Sequence, residues 1–260
     1  MTQLDVSNRK HFYVYITLAS LFLASAITAE VVGAKIFSLE KLFGMTPISF
    51  KPIFPEGINL SAGVIIWPVV FVISDIINEY FGKAGVKRIS YLGAGMIGFA
   101  FIIIYMATVL PPSDFWLRIN SADDAGNHFN INFAFNSIFR QGLGIIVGSI
   151  TAFLASQLVD AYIFFWVRRI THHKLLWLRA TGSTVVSQII DSFIVLFIAF
   201  YLLGNWTLSQ VLSVGFGQYI YKIGLAILLT PLIYVAHNVI DKYLGKQESI
   251  KIIDKAEHED

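Results

Sequence analysis

Six apolar segments, each long enough to cross a lipid bilayer, decide what this chain can fold into. A transmembrane helix needs about 20 mainly apolar residues. The segments Phe12–Phe37, Leu60–Tyr80, Ile89–Leu110, Gly142–Val167, Leu176–Leu203 and Leu208–Ile240 meet that length. In hydrocarbon every backbone N–H and C=O must be paired within its own segment, so each segment is expected to be helical. The chain is 56% hydrophobic and 14% charged, whereas soluble domains carry about a quarter charged residues. The expected fold is an all-α membrane protein, one domain over 1–260 with six transmembrane helices. The charged stretch 247–260 reads as a loosely ordered cytoplasmic tail. The sixth segment exceeds one crossing, so a tilt, a break or a helical extension beyond the membrane is expected of it.

Lys and Arg set the orientation. One group of connections holds Arg9, Lys10, Lys83, Lys87, Arg88, Arg168, Arg169, Lys174, Arg179, Lys242 and Lys246. The other holds only Lys41, Lys51, Arg118 and Arg140. Six crossings make the two groups alternate, with both termini cytoplasmic. The polar start Met1 to His11 runs into a long span without a small-residue cleavage site, so the first span is expected to be retained. The outer connection from Ser38 to Asn59, with Pro47, Pro52 and Pro55, reads as an ordered or re-entrant loop. The one from Pro111 to Asn132 is polar and reads as an exposed cap.

Several functions are excluded or disfavoured. The chain has no cysteine, which removes disulfides, thiolate catalysis and cysteine-based zinc sites. A net charge of +2 gives no nucleic-acid surface. No Gly-x-x-x-x-Gly-Lys-Ser/Thr loop is present to hold a nucleotide phosphate. His172 and His173 sit in a basic loop with no catalytic arrangement around them, so an enzyme is not expected. Carboxylates can bind a hard cation, but no dense run of oxygen ligands accompanies them, and neither metal nor cofactor is expected. Gly144, Gly148, Ala152 and Ser156 recur every fourth residue, a spacing that lets helices approach closely in lipid. Gly93, Gly95 and Gly98 can serve the third span in the same way.

Polar residues inside apolar helices carry the functional signal, because each is costly there unless used. Gln157-Leu158-Val159-Asp160 and Gln188-Ile189-Ile190-Asp191 repeat one phrase in the fourth and fifth spans. Three residues are close to one helical turn, so each Gln and Asp share a face. The second span holds Asp75, Asn78 and Glu79 on one face, and Trp67-Pro68 at its start can kink it. The sixth holds Gln218 and Lys222. At about 1.5 Å per residue from the nearest cytoplasmic cation, Asp75 and Asp160 lie about 12 Å deep and Asp191 about 18 Å deep. A core about 30 Å thick places all three near its centre. Lys222 falls in the outer half. Glu30 and Lys35 read as interfacial, as do Glu79 and Arg140. A plainer reading also stands: Lys222 could pair with an Asp only to lock helices together, and the Gln and Asp phrases could do the same.

Carboxylates accept hydrogen bonds, and amides both donate and accept. Together they suit a flat polar solute with adjacent N–H groups and a carbonyl, such as a purine-like base. Phe71, Tyr80, Phe164, Phe165 and Trp166 could supply an aromatic wall for stacking.

The same residues carry a family resemblance. An apolar-Pro pair before Ser74-Asp75-Ile76-Ile77-Asn78-Glu79-Tyr80-Phe81-Gly82 resembles the second-span motif of the queuosine precursor transporter family, within the vitamin uptake transporter group. Arg140 and Ser156-Gln157-Leu158-Val159-Asp160-Ala161-Tyr162-Ile163-Phe164 are similar to its fourth span. Trp177-Leu178-Arg179, Ser183-Thr184, Gln188-Ile189-Ile190-Asp191 and Phe200 resemble the fifth, and Tyr219-Ile220-Tyr221-Lys222 the sixth. The likeness runs from about Ala24 to Ala236. It implies inward transport of 7-cyano-7-deazaguanine or 7-aminomethyl-7-deazaguanine across a bacterial cytoplasmic (inner) membrane, by a multi-pass protein. It also implies a six-helix fold similar to the substrate-binding components of energy-coupling-factor transporters. Carried onto this sequence, the family's binding positions fall on Asp75, Asn78, Gln157, Asp160, Gln188, Asp191 and Lys222. Two mechanisms follow: a secondary transporter, with a buried carboxylate available to carry a coupled proton, or a binding subunit served by a separate ATP-driven motor. The expected partners are the small-molecule base and the bilayer, with no nucleic acid. Nothing in the sequence fixes an oligomeric state.

Overall fold

A computed structural model describes residues 3–33, 35–46, 57–140, 143–171, 176–203 and 205–258. Nine α-helices account for most of them. The long ones are α1 (Gln3–Val32), α3 (Trp67–Val109), α6 (Leu143–Thr171), α7 (Leu176–Leu196) and α8 (Leu208–Leu244). The short ones are α2 (Leu39–Leu42), α4 (Asp114–Ile119), α5 (Ile131–Phe139) and α9 (Lys246–His258). Two three-residue strands, β1 (Ile36–Ser38) and β2 (Asn59–Ser61), pair antiparallel with Phe37 opposite Leu60. Among the described residues, five helices are long and apolar enough to cross a membrane: Arg9–Val32, Trp67–Val109, Ile146–Thr171, Ala180–Leu202 and Leu208–Leu244. The protein is an all-α membrane protein. Apolar side chains such as Leu92, Phe99 and Ile102 face outward, as lipid-facing positions do.

The sequence divides the stretch occupied by α3 into two spans, whereas the helix is continuous but for one residue. Gly82 has φ 65° and ψ −174°, a conformation essentially confined to glycine, and there the chain turns back. Trp67 and Gly93 would lie about 39 Å apart on a straight helix. Yet Phe153 of α6 reaches both, with its ring centroid 6.1 Å from that of Trp67 and its ring 3.4 Å from where a Gly93 Cβ would sit. Nearer the break, Asn78 Nδ2 donates to Ala161 O at 3.3 Å while Lys87 Nζ donates to Tyr162 Oη at 2.9 Å. The two arms of α3 thus run beside the same stretch of α6. Pro68, expected to kink this helix, lies in its first turn, where no intrahelical N–H is needed. The bend falls fourteen residues later, at Gly82.

Small residues bring α6 and α7 together. A Cβ on Gly148 would lie 3.2 Å from Val195 O and 3.3 Å from Ala199 N, so the two backbones touch. Ala199 belongs to a π-helical turn, Phe197–Leu202, that continues α7. Ala152 and Ser156 of the same ridge are buried, while the side of Gly144 lies outside the described residues. Of the third-span glycines only Gly93 makes a close approach: Gly95 has nothing within 4 Å, and Gly98 meets only Ile150 Cδ1 at 4.0 Å.

The end of the first apolar segment and the stretch after α8 differ from expectation. Phe37 ends the first apolar segment but lies in β1, because α1 stops at Val32. The loop after it is ordered where described: Glu40 is buried and accepts hydrogen bonds from Ile58 N at 2.7 Å and Ser38 Oγ at 3.0 Å. Its prolines, Pro47, Pro52 and Pro55, lie outside the described residues, as do Lys51, His172, His173, Lys174 and Gly204. The polar cap carries α4, and α5 begins at its end. The expected loose tail at 247–260 is corrected by α9 over its described part. Ser249, Ile252, Ile253 and Ala256 follow helical spacing and turn one face inward, and Ser249 and Ala256 are buried. Gly245, at φ 94°, makes the elbow between α8 and α9. Lys10 Nζ donates to Tyr243 O at 3.1 Å, so the start of α1 and the end of α8 meet at one end of the bundle.

Candidate functional site

Polar side chains form a connected run across the bundle. Ser74 Oγ on α3 donates to Gln157 Oε1 on α6 at 2.8 Å. One turn along α6, Asp160 Oδ1 accepts from Ser187 Oγ of α7 at 3.0 Å. One turn along α7 from Ser187, Asp191 forms an ion pair with Lys222 of α8. Each link joins consecutive members of α3, α6, α7 and α8. The doubled Gln-apolar-apolar-Asp phrase supplies Gln157, Asp160 and Asp191 to the run, and Ser74, Ser187 and Lys222 answer them.

The seven sequence-selected residues fall into two sets. Asp75, Asn78, Gln157, Asp160 and Gln188 are all buried, at 1–8% exposure. The side chains of Asp191 and Lys222 are 24% and 20% exposed, and they pair with each other. That pairing is the contact that helix locking alone would also produce. The inner set contains two acceptors with no hydrogen-bond partner among the described residues, Asn78 Oδ1 and Gln188 Oε1. The amide of Asn78 is oriented by its own bond, since the Ala161 carbonyl requires the nitrogen on its side. Ser192 Oγ is likewise buried without a partner. A cleft lined by Phe71, Asp75, Thr181, Thr184, Leu229 and Ile233 lies between α3, α7 and α8, and Asp75 is the member of the inner set on its wall. At its edge Thr181 and Thr230 hydroxyls lie 3.1 Å apart.

The aromatic wall expected from the sequence is not assembled. Trp166 is 61% exposed on the outside of α6. Phe165 is faced by Lys83 Nζ at 4.8 Å and Arg169 Cζ at 4.7 Å. Tyr80 spends its hydroxyl on Asp241 Oδ1 at 2.7 Å and His237 O at 3.3 Å. Phe164 is fully buried in the core. Only Phe71 of the five borders the cleft.

Three residues have roles that sequence position concealed. Glu30, read as interfacial, accepts from Ser149 Oγ at 2.6 Å and lies within electrostatic reach of Asp191 and Lys222. Arg168, used as a marker of the cytoplasmic edge, is 1% exposed and donates to Glu79 O and Ile253 O. Arg140 caps the far end of α3, donating to Thr108 Oγ1 at 3.0 Å and Thr108 O at 3.2 Å. A cation at a helix C-terminus is favoured by the backbone dipole.

The described residues form a bundle of apolar helices crossed by buried hydrogen-bonding groups. Comparison with known proteins gives the family. Residues 61–236 match the family model described as "Putative vitamin uptake transporter", and the chain belongs to that family. It is a multi-pass membrane protein and a transporter, not an enzyme. It is 28% identical over 185 residues to the "Probable queuosine precursor transporter" of Bacillus subtilis (strain 168), covering 71% of this chain and 74% of that one. A protein of the same name from Haemophilus influenzae is 26% identical over 180 residues, 68% of each chain. The "Queuosine precursor transporter" of Escherichia coli (strain K12) is 24% identical over 204 residues, 78% of this chain and 84% of that one. No solved structure matches the chain.

Proposed function

We propose that this protein carries the queuosine precursors 7-cyano-7-deazaguanine and 7-aminomethyl-7-deazaguanine inward across the bacterial cytoplasmic membrane as a secondary transporter. The chain crosses six times, the two arms of α3 counting separately because Gly82 turns one back on the other, and both termini are cytoplasmic. The names of three relatives support the substrate class. The observation that carries the reading is the pair of buried acceptors without a partner among the described residues, Asn78 Oδ1 and Gln188 Oε1, beside the Gln157 and Asp160 links.

A buried acceptor without a donor costs about 1–3 kcal/mol. A deazaguanine presents a ring N–H next to an exocyclic amine, with a carbonyl on the same edge. The N–H groups answer Asn78, Gln188 and the carboxylates of Asp75 and Asp160. Gln157, whose Oε1 accepts from Ser74, can donate from its Nε2 to the carbonyl. Lys222 and Asp191 stand at the outer rim, where their ion pair can open to admit the solute. A buried carboxylate of this set is available to carry a coupled proton.

The test is uptake of each labelled precursor in a host that can neither make them nor supply an energy-coupling motor. Asp160→Ala and Asp191→Ala should abolish uptake while the protein remains in the membrane. Normal uptake by both variants removes the site assignment. Uptake only when a motor module is co-expressed identifies the chain as a binding subunit instead.

A further inference from the structure

The end of the bundle that carries both termini is closed by α9, through contacts the substrate site does not use. Arg168 is the largest fully buried side chain in the described residues. Its Nη1 donates to Glu79 O at 3.2 Å and its Nη2 to Ile253 O at 2.7 Å. The first carbonyl belongs to the last turn of α3's first arm, just before the break at Gly82, where helical carbonyls lose their intrahelical partners. The second belongs to α9. One guanidinium therefore holds the arm bearing Asn78 and the terminal helix at once.

Asp241 makes a second fastening. Its Oδ1 accepts from Tyr80 Oη at 2.7 Å and from Ser249 Oγ of α9. Its Oδ2 pairs with His237 Nδ1 at 2.9 Å. The Tyr80 and His237 rings lie 5.2 Å apart. Tyr80 is two residues from Asn78 on the same arm, so both fastenings tie α9 to it. Ile252 and Ile253 pack against the core at that end. The Gly245 elbow, at φ 94°, joins α8 to α9.

We propose that α9 is a gate over the terminal end of the transport path, latched by Arg168 and Asp241 and coupled to the Asn78 arm. The gate is shut in this structure. Movement of that arm as a solute engages Asn78 shifts the Glu79 carbonyl and the Tyr80 hydroxyl, which loosens both fastenings together. Release of α9 then opens the path on the side of the termini. This inference rests on the transporter reading, but its test needs no substrate, so the two can fail separately.

The chain has no cysteine, so Asn78→Cys in the full-length protein is a unique thiol. Its reaction with a membrane-impermeant maleimide is followed in inside-out vesicles, where the terminal end faces the reagent. Adding Asp241→Asn should speed labelling about tenfold, the population change expected for one lost charge-assisted hydrogen bond. Ser249→Ala, which removes a single fastening and leaves Asp241 charged, should act in the same direction. It serves if Asp241→Asn does not reach the membrane. A Ser149→Cys reporter in the other half of α6 should keep its rate, whereas general loosening would raise both. Equal rates at Asn78→Cys with and without the latch substitutions, or equal acceleration at both reporters, overturn the proposal.

Discussion

Gln188→Met separates a binding role from a structural one more cleanly than any charge removal. Gln188 is 2% exposed and its Oε1 has no partner among the described residues. An unsatisfied buried acceptor costs about 1–3 kcal/mol. Methionine has nearly the same length and no oxygen to leave stranded, so the substitution returns part of that cost. For a chain of this size each kcal/mol moves the unfolding midpoint by about 2–4 °C, so the unliganded variant should melt at the same temperature or a few degrees higher. Ser74→Ala is the counterpart. It strips the partner from Gln157 Oε1, now bonded at 2.8 Å, and should lower the midpoint by a similar amount. Ligand linkage completes the comparison. Saturation at about 100 times Kd stabilises a protein by about 2.7 kcal/mol, and Gln188→Met should lose most of that shift. The assay is thermal unfolding of purified protein in detergent, with and without 7-cyano-7-deazaguanine. If Gln188→Met melts lower without ligand and keeps the full shift with it, the residue is structural and the argument from stranded acceptors fails.

Three other outcomes follow from the geometry. Gly148→Ala should destabilise by about 1–3 kcal/mol, since the new methyl would sit 3.2 Å from Val195 O and 3.3 Å from Ala199 N; an unchanged midpoint would mean that α6 and α7 are not in backbone contact. A double-mutant cycle of Lys222→Met and Asp191→Asn should give a coupling of about 0.5–3 kcal/mol, and additivity would mean that the two do not pair. Asp123 lies outside the spanning helices and accepts from Asn127 N at 2.8 Å, Asn127 Nδ2 at 3.1 Å and Ala125 N at 3.0 Å. These bonds, the Asn127 side chain first, hold its carboxyl below the ordinary aspartate range. The loop's order should therefore be complete above the unfolded-chain pKa and lost only as pH falls through the lower folded value, as NMR titration of the Asn127 amide would report. Titration at or above the ordinary value contradicts those hydrogen bonds.

The long apolar helices were legible because hydrocarbon leaves a chain few choices, and Leu, Ile, Val and Phe runs announce them directly. The doubled phrase also carried over: spacing alone put Gln157 with Asp160 and Gln188 with Asp191, and α3, α6, α7 and α8 are linked at those turns. What composition could not convey was direction around the helix. Phe164, Phe165 and Trp166 are consecutive, so they point three ways, and no aromatic wall results. Tyr80 looked like stacking material until its hydroxyl met Asp241 on α8. Gly82 was visible as a motif residue, yet the sequence does not show its positive φ, where α3 breaks into two arms that both meet Phe153 of α6. Arg168 illustrates the limit of charge rules: a cation at a helix end marks the membrane edge equally well whether it meets water or, as here, two backbone carbonyls. The α9 face was present in Ser249, Ile252, Ile253 and Ala256, but it is short and set among charges, which suggested a loose tail.

The most direct measurement of the central claim is accumulation of each labelled deazaguanine precursor by a host that lacks both their synthesis and an energy-coupling module. Expression of this chain should give saturable accumulation of one or both precursors, abolished in Asp160→Ala protein that still reaches the membrane. Accumulation no greater than in cells without the chain, with the protein folded in the membrane, would contradict the account.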